Sequence, residues 1–221
     1  MKVNAITSAR LDYMTVKEYL SVKSIGIFLG VFLLFLVGMD MQEMAVGMFM
    51  MYGFLYSTYP FLITEKHNTQ MLYATLPIRP KSLVQGRYLY AVSLSVASGL
   101  VAFVLPTALR GFVKEPMEVR VLLVTILTCF VIFTLMFAIQ IPIYFKLDYS
   151  RAKMLAYLPI LLVPAATFTA TRFAPPELID RVVAQVHHAS APMIAAAMAG
   201  WLGLMLISYG ISVKAYMGRE G

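Results

Sequence analysis

Six long apolar runs, at residues 25–39, 44–64, 88–109, 121–145, 154–170 and 193–213, divide the chain, and none has an Asp, Glu, Lys, Arg or His in its interior. Backbone that enters lipid must satisfy its own polar groups, so each run is expected to be a helix. About 20 residues cross the hydrocarbon layer, and the first run is near the lower limit. Composition agrees: 60% of residues are hydrophobic, 13% are charged and the mean hydropathy is +0.78, whereas a soluble domain has about 25% charged residues. The expected fold class is an all-α integral membrane protein with six transmembrane helices. One bundle takes up nearly all 221 residues, so residues 1–221 read as a single transmembrane domain.

Orientation follows from the basic residues. On one side lie Lys2, Arg10, Lys17, Lys23, Lys66, Arg79, Lys81, Arg87, Lys146, Arg151, Lys153, Lys214 and Arg219, which is 13 of the 18. The other side has the remaining 5: Arg110, Lys114, Arg120, Arg172 and Arg181. Both termini are therefore expected in the cytosol. The net charge of +7 does not point to nucleic acid, because no basic cluster is interleaved with aromatics. Anionic membrane lipids are the expected partner of these charges. Cys129 is the only cysteine, which leaves no disulfide framework.

Before the first run, residues 1–20 are too charged to span. Ile6, Ala9, Tyr13, Val16 and Leu20 recur at helical spacing, with Asn4, Ser8, Asp12 and Thr15 elsewhere on the wheel. That pattern predicts an interfacial helix with its apolar stripe in the headgroup region. An alternative is that Thr15 and Glu18 form a capping box starting a helix continuous with the first span.

The longest polar interval between the earlier runs is EKHNTQMLYATLPIRPKSLVQGRY, Glu65 to Tyr88, and its Lys66, Arg79, Lys81 and Arg87 make it cytosolic. Asn68 is a candidate N-cap for a short helix through Leu76, which Pro77 ends. Arg79 is expected to be extended because Pro80 follows it, and Pro80 fits the first turn of the next helix. A short rod between two uprights is the result, a shape suited to pressing on a partner. The plainer alternative is a solvated connector. Its Lys and Arg would then only obey the inside-positive bias.

No HExxH, Walker A or GxSxG sequence is present, so the chain is not expected to be an enzyme. His187 and His188 lie near Glu177 and Asp180, but adjacent histidines on a helix diverge by about 100°, and no metal site is expected. Without intramembrane ionisable groups, coupling to a proton or ion through side chains is disfavoured. Energy for uphill transport would then enter from outside the bilayer.

These features resemble the permease subunits of ABC type-2 transporters, in particular the small six-span bacterial exporter permeases. The likeness rests on the elbow-like N-terminal helix, the six spans with termini inside, the stretch from Glu65 to Tyr88, and a helical or re-entrant outer stretch at 171–192. In detail it lies in Glu65, the short helix Thr69 to Leu76, Leu76 and Pro77 followed by Arg79 and Lys81, and Gly86, Arg87 and Tyr88. The resemblance implies a coupling helix in which Glu65, Asn68, Met71, Leu72, Leu76, Pro77, Arg79 and Lys81 meet a cytosolic ABC ATPase subunit. It also implies a second permease chain, ATP and Mg on the ATPase with no cofactor in this chain, export, and a bacterial cytoplasmic membrane location. The rival class is a membrane-embedded assembly factor that transports nothing, followed by an ATP-independent carrier or channel.

Tyr52, Tyr56 and Tyr59 fall on one face of the second run beside Met48, and Gln140 lies inside the fourth. They are candidates for a substrate path taking a hydrophobic or amphipathic cargo, peptide or lipid-like. Core packing is the reading of the same stripe that the residues favour. Small residues at every fourth position, Gly26 and Gly30, then Ala91, Ser95 and Gly99, then Ala195, Ala199 and Gly203, allow close helix approach either within the chain or between chains.

Overall fold

Pro80 opens the third long helix as its fixed backbone angle and missing N–H require, and Arg79 before it is extended at φ −70°, ψ 137°. The computed structural model describes residues 4–19, 21–66, 79–147, 149–152, 154–155, 169, 172–173 and 191–220. Seven helices form within them: α1 Ala5–Lys17, α2 Val22–Leu33, α3 Gln42–Ser57, α4 Tyr59–Lys66, α5 Pro80–Ala108, α6 Val119–Lys146 and α7 Ala191–Glu220. Four segments are long and apolar enough to cross a membrane: Gln42–Lys66, Pro80–Ala108, Val119–Lys146 and Ala195–Gly218. Lys23–Gly38 is a shorter apolar helix. Nearly all of the fifth run, with its Pro159 and Pro164, and of the 171–192 stretch lies outside the described residues. So does the short helix expected at 69–76.

Continuity between α1 and α2 is ruled out. The first helix ends at Lys17, and Thr15 donates its hydroxyl to the Leu11 carbonyl at 2.7 Å instead of capping a new helix. After Leu33 α2 widens into a π turn, Leu34–Gly38, in which Met39 N–H reaches the Leu34 carbonyl at 2.9 Å. Asp40 then adopts φ 56°, a left-handed position that Asp tolerates better than most residues, and the chain reverses into α3.

Prolines inside the spans free carbonyls that other helices cover. Pro60 has no N–H for the Tyr56 carbonyl four residues back, and the Tyr90 hydroxyl of α5 donates to that oxygen at 3.3 Å. Pro142 likewise frees the Ala138 carbonyl, to which the Ser208 hydroxyl of α7 donates. Lipid offers no water for such groups, so these bonds hold neighbours together as well as satisfying the backbone.

Close packing does the rest. A Cβ on Gly53 of α3 would stand 1.9 Å from the Ser98 hydroxyl oxygen of α5, so those backbones nearly touch. The small row of α5 is also spent inside the chain, with Ala91 and Ser95 buried and Gly99 against Ile126 and Met50. Gly26, Gly30 and Gly203 have no neighbour within 4 Å of a built Cβ. One apolar cluster joins Phe54, Phe61, Val84, Phe137 and Tyr144. A second gathers Val46, Met50, Ala102 and Leu122 towards the other end of the bundle. Tyr88 ties α7 to α5 through Ser208 at 2.5 Å and Ser212 at 2.9 Å, and Trp201 donates to Thr134 of α6 at 2.9 Å.

Candidate functional site

One group of polar contacts between elements lies at the basic end of the bundle, around the two roots of the 67–78 segment. The first root is the end of α4, where three consecutive residues grip three different partners. Thr64 accepts a hydrogen bond from the Arg87 guanidinium of α5 at 3.0 Å while donating to the Pro60 carbonyl at 2.6 Å. Glu65 accepts from the Ser150 backbone N–H at 2.9 Å and from the Ser150 hydroxyl, which fastens α4 to the chain just after α6. The Lys66 ammonium lies 5.6 Å from the centroid of the Tyr19 ring, beyond the end of α1. At the second root, the Arg79 carbonyl accepts from Ser82 and Leu83 at 2.8 and 3.2 Å, starting α5, while the Arg79 and Lys81 side chains are exposed.

The N-terminal helix docks on this arrangement with its polar row. Ser8, Asp12 and Val16, spaced by four, are 3%, 4% and 1% exposed, whereas Ile6 is 73% and Tyr13 55% exposed. The apolar stripe expected from the sequence is thus divided. Val16 faces protein together with the polar residues, and Ile6 and Tyr13 face outward. Contact with α5 is close because Gly86 stands opposite Ser8, where any Cβ would collide with the Ser8 side chain.

Beside that contact, Asp12 pairs with Arg87 at 3.2 Å, and both side chains are nearly inaccessible. The Arg87 guanidinium also lies over the Phe61 ring, 4.7 Å from its centroid, so one planar cation meets a carboxylate, a hydroxyl and an aromatic face. Burial pushes the Asp12 carboxyl up to about 6, and the Arg87 charge pulls in the opposite direction. The arrangement suits holding helices in register rather than acid–base chemistry, because a buried pair spends its attraction on desolvation and geometry. Among the described residues no group of three or more His, Cys, Asp and Glu is placed to hold a metal.

Of the residues expected to meet an ATPase, Glu65, Arg79 and Lys81 are described and flank the segment. Asn68, Met71, Leu72, Leu76 and Pro77 lie outside the described residues. Asp12, Thr64 and Ser150 were missed as site residues. The signal for Asp12 was its place in the row with Ser8 and Val16, but the composition of the row does not reveal which face docks. Ser150 had no signal, since nothing in the sequence pairs it with a residue 85 positions earlier.

Of the residues expected to line a substrate path, the three tyrosines lie together and Gln140 lies apart from them. Tyr52 donates to the Tyr56 hydroxyl at 3.0 Å, and the rings of Tyr56 and Tyr59 stack at 4.5 Å. Phe28 of α2 stacks on Tyr52 at 4.0 Å, and Tyr56 clusters with Val16, Ile63 and Tyr90. Met48 is half-buried in the same helix. Gln140 is fully buried on α6, which meets α3 through Phe133 and Phe54, on the side of α3 away from the tyrosines.

Comparison with curated proteins and with solved structures gives no match. A family model described as ABC-2 family transporter protein matches residues 12–217, from the buried Asp12 through the clustered helix ends to the last turns of α7. With nearly the whole membrane-capable bundle inside that match, the chain belongs to the ABC-2 transporter family, whose members are membrane components of transport.

Proposed function

We propose that this chain is the permease subunit of an ATP-driven exporter, with six spans, both termini in the cytosol of a bacterial cell, and a hydrophobic or amphipathic cargo. Cytosolic ABC ATPase subunits hold the ATP and Mg and dock on residues 65–81, and a second permease chain completes the pathway. The observation that carries this reading is the anchoring of α4 beside the 67–78 segment: Thr64, Glu65 and Lys66 fix its root to α5, to Ser150 and to Tyr19. A segment that only connected two spans would not need a root tied to three neighbours. One that transmits force does.

ATP binding draws the ATPase subunits together, the segments docked on them follow, and the spans they join tilt to open a path outward. Outward-facing Gly26, Gly30 and Gly203 leave surface for the second chain. The test is to replace Leu76 and Pro77 together and measure ATP hydrolysis in proteoliposomes. The expected result is loss of permease-stimulated hydrolysis with normal membrane insertion. Stimulation equal to that of the unmodified chain would count against the reading.

A further inference from the structure

We infer that Arg87 is a positioning residue: by holding Asp12, Thr64 and the Phe61 ring together, it clamps the N-terminal helix to both roots of the 67–78 segment, so that α1, α4 and α5 move as one body. This rests on the coupling role proposed above and names what carries the force away from that segment.

The geometry supports it in three ways. First, the contacts come from different elements, Asp12 from α1 and Thr64 and Phe61 from α4, and they converge on one side chain of α5. Only a planar fork makes all three at once; an ammonium is a single point. Second, there is no slack beside the clamp, because Gly86 places the α5 backbone against Ser8, Ala5 and Ala9 of α1. Third, a buried ion pair is poor value as plain stabilisation, since well-packed apolar residues serve as well or better. Holding three elements in fixed register accounts for keeping it. Besides Arg87, Tyr90 of α5 lies near enough to interact electrostatically with this carboxylate.

Removing the guanidinium strands a carboxylate that burial already holds near 6. Its affinity for a proton then rises further, and α1 stays docked at neutral pH only by taking one up.

The experiment uses the full chain in nanodiscs, with hydrogen exchange of residues 5–17 as one readout and ATPase stimulation by the permease–ATPase complex as the other. Arg87→Gln is expected to speed α1 exchange on the order of 100-fold at pH 7.5, to slow it again at pH 5, and to abolish stimulation. Adding Asp12→Asn removes the stranded charge, so protection returns at both pH values while stimulation stays lost, because Thr64 and Phe61 still lack their partner. Arg87→Lys keeps α1 protected and lowers stimulation. Exchange unchanged in Arg87→Gln overturns the clamp. Full stimulation in the double variant overturns its role in transmission. The exchange arm needs no ATPase, so it stands apart from the Leu76 and Pro77 test: that variant is expected to lose stimulation with α1 protection intact.

Discussion

Gly86 faces Ser8 so closely that a Cβ built on it would lie 2.5 Å from the Ser8 Cβ, with the Ala5 carbonyl oxygen and the Ala9 nitrogen each at 3.1 Å. Two of these three neighbours are helix backbone, so the clash cannot be relieved by turning a side chain. Gly86→Ala should therefore lift α1 off the bundle, at a cost of about 1–3 kcal/mol, and speed its hydrogen exchange. Gly47→Ala in α3 is the control. It meets no atom within 4 Å and should be neutral or stabilising by up to about 1 kcal/mol from helix propensity. Equal effects of the two substitutions on the thermal midpoint would show that α1 is not seated on Gly86.

The second close approach joins α3 to α5. A methyl on Gly53 would lie 1.9 Å from the Ser98 oxygen and 2.8 Å from its Cβ, but 3.6 Å from the Leu94 carbonyl. Only the serine side chain blocks it. Gly53→Ala alone should cost about 1–3 kcal/mol, and Ser98→Gly in the same chain should recover most of that loss. Unfolding in mixed micelles gives the double-mutant cycle. Costs that simply add would mean that the helices separate instead of sharing this contact.

How much of this was legible beforehand depends on the range of the signal. Pro80 announced the start of α5 because proline restricts its own backbone and the residue before it, both local effects. Apolar run length likewise marked the spans at 44–64, 88–109, 121–145 and 193–213, although the helices extend past those limits into polar residues. The clamp was not legible. Arg87 reads as one more inside-positive charge and Asp12 as one polar position on a surface helix, and they pair only because Gly86 lets α1 and α5 come together. A proline such as Pro60 or Pro142 frees a carbonyl by a local effect, but which hydroxyl reaches it is not local. A contact between residues 70 positions apart, such as Ser208 with Ala138, is set by how the spans pack.

Proton linkage at Asp12 gives a third prediction. Its carboxyl titrates near 6 when α1 is docked, above the ordinary 3.8, because burial outweighs the pull of Arg87. The docked state thus binds the proton more tightly. Docking is strongest below the ordinary value, weakens as pH rises through about 6, and is level above it. Hydrogen exchange of α1, corrected for its intrinsic pH dependence, should be faster at pH 7.5 than at pH 5, by on the order of 10-fold if opening is local. Asp12→Asn should flatten the profile. A profile running the other way would mean that Arg87 outweighs burial.

Ser208 offers a test of how α7 is held. Its hydroxyl donates to the Ala138 carbonyl, which Pro142 cannot serve, and it also contacts Tyr88 at 2.5 Å. Ser208→Ala leaves Tyr88 a second partner in Ser212 at 2.9 Å, so the main loss is the carbonyl left in an apolar setting. That loss should cost about 1–2 kcal/mol. With Pro142→Ala, the new N–H at position 142 can reach back to Ala138, and removing the Ser208 hydroxyl should then cost less, by a coupling of about 1 kcal/mol. Unfolding free energies of the four chains in bicelles decide it. A coupling near zero would mean that the serine holds α7 through Tyr88 alone, and that the carbonyl freed by Pro142 is satisfied elsewhere.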